Sequence, residues 1–210
     1  MLWRIFSVKA LILVGLQNDF CSHKGAAYIT GSEKVIPLIN NIIPKFSFVI
    51  ATRVCYPENH GSFARVHGKK VKEKILLGGQ EQILRSDFCV KGSWGARLVR
   101  SLNKKGIHKI FVLGAHKNID SYSAFFEHGH KHSTELDIYL KERRIKNIFI
   151  AGVPLESLVK HTALDGVALG FHTSVIKNVC MGIEEHSGDI QSSFSEMERA
   201  GVKVLDSLNF

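Results

Sequence analysis

The chain has 210 residues and a formal net charge of +9, with 45% hydrophobic and 22% charged residues. That length suits one full-sized core and is short for two, and the composition, free of repeats, low-complexity tracts and Pro/Ser-rich linkers, excludes fibrous and disordered classes. No apolar run reaches the ~20 residues that a bilayer-spanning helix needs, so membrane insertion is not expected.

The opening MLWRIFSVK is basic and partly apolar and is too short for a cleavable secretory signal; it reads as a short leader into the first strand, or as the stub of an organellar presequence. Near-continuous apolar runs follow at 8–14, 46–52, 109–113, 147–151, 173–177 and 202–205. Such runs suit strands of a parallel sheet covered on both faces. Amphipathic stretches at 32–45, 94–104, 134–144, 156–170 and 187–200 alternate with them and predict helices. Ser133 reads as an N-cap, and Gly170 and Gly201 as helix stops. The alternation predicts an α/β fold, a doubly wound three-layer sandwich in one domain. Residues 54–92 read as a long irregular segment, a sign of a functional or partner-binding loop.

Open α/β sheets place sites at the carboxyl ends of strands, near the switch in strand order. Asp19 follows the first strand, Val54 the second, Leu113 ends the third and Leu158 lies just past the fourth. Four strand ends therefore converge on one crevice.

Cys21, Cys55, Cys89 and Cys180 are scattered with no CxxC pair, which suits free thiols in a reducing compartment, cytoplasmic or organellar. The basic surface favours RNA, anionic lipid or an acidic protein partner. Its charge is spread over HGKKVKEK (67–74), NKKGIHK (103–109) and KERRIKN (141–147), with no dense arm and no RNA-recognition signature. The run HGHKH (128–132) reads as solvated loop histidines with an adventitious metal affinity.

The blocks ALILVGLQNDF (10–20), ATRVCYPENHGSFA (51–64), CVKGSWGARL (89–98), IDSYSAFF (119–126) and AGVPLESLVKHTALDGVALGF (151–171) resemble the nicotinamidase branch of the isochorismatase-like cysteine hydrolases. The resemblance runs from about Lys9 to Leu208 and implies six parallel strands in a three-layer α/β/α sandwich, and self-association as a homo-oligomer. It also implies an Asp, a Lys, a nucleophilic Cys and an Asp-His-His metal set. In register, the Asp is Asp19, whereas Leu113 stands at the Lys position and Leu158 at the Cys position. Val54, Tyr56 and Phe88 stand at the ligand positions.

Leucine offers no lone pair for acyl transfer, and Val54 and Phe88 offer no metal donor. These positions lead to the expectation of a non-catalytic member without a metal or other cofactor, serving as a structural or regulatory subunit of a larger protein assembly. Asp19 is then a structural remnant, held by backbone donors because a buried carboxylate is otherwise costly. A vestigial pocket is expected from Phe20, Tyr56, Tyr122, Leu155 and Leu158. Two alternatives stand beside this reading: an active amidohydrolase with substitute groups, and a sensor that binds a flat ligand without turnover. Cys55, Cys89 and His60 form a minority soft-metal alternative. The resemblance also implies a cis peptide at Val153–Pro154.

Overall fold

The computed structural model describes residues 8–208, so the expected leader lies outside the described residues apart from its last two. The strands are β1 (Lys9–Val14), β2 (Phe48–Val54), β3 (Lys74–Leu77), β4 (Gln80–Ile83), β5 (Lys109–Leu113), β6 (Asn147–Gly152), β7 (His172–Cys180) and β8 (Lys203–Leu205). The α-helices are α1 (Asn18–Cys21), α2 (Val35–Ile42), α3 (Leu136–Glu142), α4 (Lys160–Ala168) and α5 (Asp189–Arg199). Six strands form one parallel sheet in the order β5-β2-β1-β6-β7-β8, flanked by helices in the expected three-layer sandwich.

The sheet is built outward from β1. Ala10 through Val14 are completely buried, and Leu13 lies between Ala51 of β2 and Ala151 of β6. An uninterrupted apolar run of this kind is stable only where both faces are covered, and truncating one such leucine costs about 2–5 kcal/mol. From β1 the chain builds first to one side, through β2 and β5, and then to the other, through β6, β7 and β8. The switch falls at β1, so the crevice opens at the carboxyl ends of β1, β2 and β6.

Some elements differ from the sequence expectation. Residues 94–104 are not a helix: Leu98 makes an antiparallel bridge to Gln17, and Val99 N–H donates to Leu16 O at 3.0 Å. These tertiary hydrogen bonds outweigh local propensity. The segment 54–92 is not structureless, since β3 and β4 pair as an antiparallel hairpin with Leu77 opposite Gln80. Its two-residue turn is Gly78–Gly79, with φ of 58° and 83°, the left-handed pair that a tight hairpin demands. Ser133 Oγ accepts from Glu135 N–H rather than capping α3 directly. Gly170 and Gly201 do stop their helices, at φ of 84° and 96°. The helix expected at 156–170 opens with a π-helical turn, Leu155–Val159, before α4. The Val153–Pro154 peptide is cis. No helix among the described residues is long and apolar enough to cross a membrane.

The ends of β1 and β6 approach so closely that only glycine fits. Gly15 has a φ of 65°, and a Cβ there would sit 1.7 Å from the Val153 carbonyl oxygen. Gly15→Ala is expected to destabilise the fold by roughly 2–4 kcal/mol, read as a lowered denaturation midpoint in urea; a change under about 0.5 kcal/mol would show that the two strand ends are not held in this contact.

Candidate active site

The crevice is framed by three consecutive buried polar residues after β1. Gln17 Nε2 donates to Val54 O at 2.7 Å and to Ala96 O at 2.9 Å, and its Oε1 accepts from Val54 N–H at 2.8 Å. Asn18 Nδ2 donates to Trp94 O at 2.8 Å. Asp19 Oδ1 accepts from Ala26 N–H at 3.0 Å and Oδ2 from Cys89 N–H at 2.6 Å. Backbone donors thus hold Asp19. Gly95 lets its carboxylate lie against the chain, because a Cβ there would come within 2.2 Å of it.

Val54, Leu113 and Leu158 are buried at the ends of β2 and β5 and in the turn after β6. Tyr56 is buried edge-on against Phe63 and Phe88, with ring centroids 5.7 and 5.4 Å away. Its hydroxyl donates to Asp120. Burial, followed by the Asp120 charge, holds the Tyr56 phenol well above its ordinary pKa. Val54 and Phe88 present only carbon, and the Tyr56 oxygen is committed to Asp120, so this set does not fit a divalent ion. The ring nitrogens of His60 lie 2.8 Å from Ser62 Oγ and 3.1 Å from Ile119 O, so His60 is committed as well.

None of the shifted thiols is activated. Burial pushes Cys21 and Cys180 up to about 12, and burial together with Asp19 holds Cys89 well above the ordinary range. All four cysteines are free and buried. A thiolate nucleophile requires the opposite, an electropositive and partly exposed setting.

Sequence reasoning missed the charged centre. The Arg85 guanidinium donates to both Asp120 and the Tyr122 hydroxyl, and Asp120 also accepts from Ser121 N–H at 2.8 Å. Burial alone would raise the pKa of Asp120, but Arg85 and the hydrogen bonds to it hold it below the ordinary carboxylate value. Burial opposes the Arg85 charge most strongly, and Asp120 together with Tyr56 and Tyr122 more than offsets this, so the guanidinium pKa is raised. The detectable signals were the Arg that follows Ile83 and Leu84 in QILRSDF and the Asp that follows Ile119 in IDSYS.

The inner cavity holds about 30 Å3 and is lined by Phe20, Val54, Tyr56, Arg85, Phe88, Ser121, Tyr122, Pro154, Ser157 and Leu158. Phe20, Tyr56, Tyr122 and Leu158 of the expected pocket meet here. Leu155 lies outside that lining, its Cβ packed toward Gly182 and its N–H donating to Met181 O at 2.9 Å. Arg85 and Tyr122 also line an outer groove of about 800 Å3, flanked by Ile83, Glu156, Ile183 and Glu196. Ser121 Oγ is buried in the cavity wall without a hydrogen-bond partner. Such a group represents unused binding capacity.

Residues 9–208 match the family described as the isochorismatase domain. Nicotinamidase of Escherichia coli is 36% identical over 93% of this chain and 93% of its own. Nicotinamidase of Acinetobacter baylyi is 37% identical over 95% and 93%. The solved structure titled nicotinamidase pyrazinamidease of Acinetobacter baumanii superposes with a TM-score of 0.89 at 36% identity, covering 95% of this chain and 96% of that one. These findings overturn the expectation of a non-catalytic structural or regulatory subunit. Relatives that match almost end to end are hydrolases, and the substitutions read in isolation gave too much weight to five positions.

Two measurements check the site. Asp19→Ala leaves two backbone N–H groups without their acceptor and is expected to cost roughly 2–4 kcal/mol in urea unfolding; an unchanged midpoint would contradict the structural role. Asp120 has a folded pKa below its unfolded value of about 3.9, so its ionisation contributes stability above that pH. The contribution is lost as pH falls through the folded value. Asp120→Asn is expected to cost about 3 kcal/mol at neutral pH by breaking the pair with Arg85. It should also flatten the acid limb of the stability–pH profile below about pH 4.

Proposed function

This chain belongs to the isochorismatase family, and from that premise we propose that it is an amide hydrolase of the nicotinamidase type working through substitute groups. The observation that carries the reading is end-to-end similarity to nicotinamidases, at 36–37% identity. A crevice lies at the strand switch, and Ser121 Oγ stands in its wall without a hydrogen-bond partner among the described residues.

Leu158 and Leu113 supply no lone pair, and none of the four buried cysteines lines the inner cavity, so the attacking group in this reading is the Ser121 hydroxyl, which does. Ser121 Oγ adds to the amide carbon, the C–N bond breaks, and the hydroxyl proton leaves with ammonia. Water then hydrolyses the ester, releasing the carboxylic acid and restoring the serine. Arg85 and Tyr122 line both the inner cavity and the outer groove and stand between them. An inner space of about 30 Å3 holds one or two waters and no aromatic ring. An aromatic amide therefore enters from the outer groove as the Arg85–Tyr122 pair swings outward. The apolar walls, Phe20, Val54, Phe88 and Leu158, favour a flat uncharged ring over a charged substrate.

The test is ammonia release from nicotinamide, pyrazinamide and benzamide by protein purified free of host amidases. Release is expected from the wild type, falling to background in Ser121→Ala and persisting in Ser157→Ala. Absence of release from all three amides, or release unaffected by Ser121→Ala, would overturn the proposal.

A further inference from the structure

Away from the cavity, three side chains converge on the loops that follow β5. His116 lies three residues beyond the end of β5, and Glu127 and His132 face each other across a turn. That turn is closed by an antiparallel bridge between Phe126 and Ser133 and by Glu127 N–H donating to His132 O at 3.0 Å. One donor atom from each of His116, Glu127 and His132 falls within 4.8 Å of the other two. His116 Nδ1 is 2.6 Å from Glu127 Oε2, and the His116 and His132 rings stack with centroids 4.3 Å apart. We propose that His116, Glu127 and His132 form a binding site for a divalent ion of the zinc class, clamping the post-β5 loop to the 127–132 turn.

The donor chemistry selects the ion. Two imidazoles and one carboxylate suit zinc and its borderline neighbours, whereas calcium and magnesium prefer all-oxygen sets. Glu127 is anchored: its side chain is only 7% exposed, while that of His116 is 55% exposed. A buried carboxylate is stable when paired, and its partner here is the exposed His116 imidazole. Tetrahedral coordination at the usual bond length places ligand atoms ~3.3 Å apart. The exposed histidines reach that spacing by small side-chain rotations, leaving the fourth position to water. None of the three residues lines the Ser121 cavity, so the site is independent of the proposed hydrolysis. The other histidines of the 128–132 run are engaged elsewhere: His130 Nε2 lies 2.9 Å from Asp165 Oδ1, and His128 packs edge-on to Tyr122 at 5.1 Å.

The experiment uses the full chain without a histidine tag, stripped with chelator and titrated with zinc chloride by calorimetry and thermal unfolding. One equivalent is expected to bind with a Kd of about 1 µM or tighter. A hundredfold excess over Kd should raise Tm by about 5–10 °C. His132→Ala, at an exposed position, should leave the metal-free Tm unchanged and weaken binding at least tenfold, as should His116→Ala. The double variant His128→Ala/His130→Ala should bind like the wild type. Absence of uptake, undiminished binding by His132→Ala, or loss of binding in the 128/130 variant would each overturn the site.

Discussion

The hydrogen bonds of Gln17, Asn18 and Asp19 are the constraint on which the crevice depends. The end of β1 delivers three buried polar side chains to one place, and they reach backbone atoms distant in sequence: Gln17 binds Val54 at the end of β2 and Ala96, Asn18 binds Trp94, and Asp19 binds Ala26 and Cys89. A buried amide or carboxylate is costly when unpaired and directional when paired. The same groups that would destabilise the core therefore fix the walls of the site at the strand switch. Val54 and Phe88 stand where they do because Gln17 and Asp19 bind the backbone beside them.

A second balance sets the chemistry. Burial raises the cost of every charge in the crevice, and each polar group answers it differently. The shifted thiols remain protonated, with Cys21 and Cys180 pushed up to about 12. Asp120 stays ionised because Arg85 is beside it and Tyr56 and Ser121 N–H donate to it. Tyr122 is pushed up to about 12, first by burial and then by Asp120, and so remains a neutral hydroxyl at the cavity wall. Once these groups are satisfied, the Ser121 hydroxyl is left with its hydrogen-bonding capacity unused inside the cavity.

Much of this architecture was legible in the sequence. The runs around Leu11–Val14 and Ile148–Ala151 are apolar without interruption, and only a covered parallel strand tolerates that. The crevice at the strand ends followed from the same pattern, whereas the strand order β5-β2-β1-β6-β7-β8 was not read from it. Residues 94–104 misled because Ala96, Leu98, Val99 and Leu102 are all buried at irregular spacings that imitate a helical face. Their backbone is committed instead to the loop after β1, a long-range interaction without a local signature. The β3–β4 hairpin was marked by Gly78–Gly79, but its strands expose Leu76 and Ile83 and lack the expected alternation. The Arg85–Asp120 pair spans 35 residues and leaves no periodic trace. Function was misread for a related reason. Five substituted positions were given more weight than a likeness to hydrolases that spans residues 9–208.

The most direct measurement is a crystal structure of the protein soaked with nicotinaldehyde, in which the amide of nicotinamide is replaced by an aldehyde that adds to an attacking hydroxyl but has no leaving group. The account predicts continuous density between the aldehyde carbon and Ser121 Oγ, with the pyridine ring between Phe20 and Leu158 and the Arg85–Tyr122 pair displaced toward the outer groove. An aldehyde joined to another residue, or a cavity that excludes it while Arg85 and Tyr122 stay in place, would contradict it.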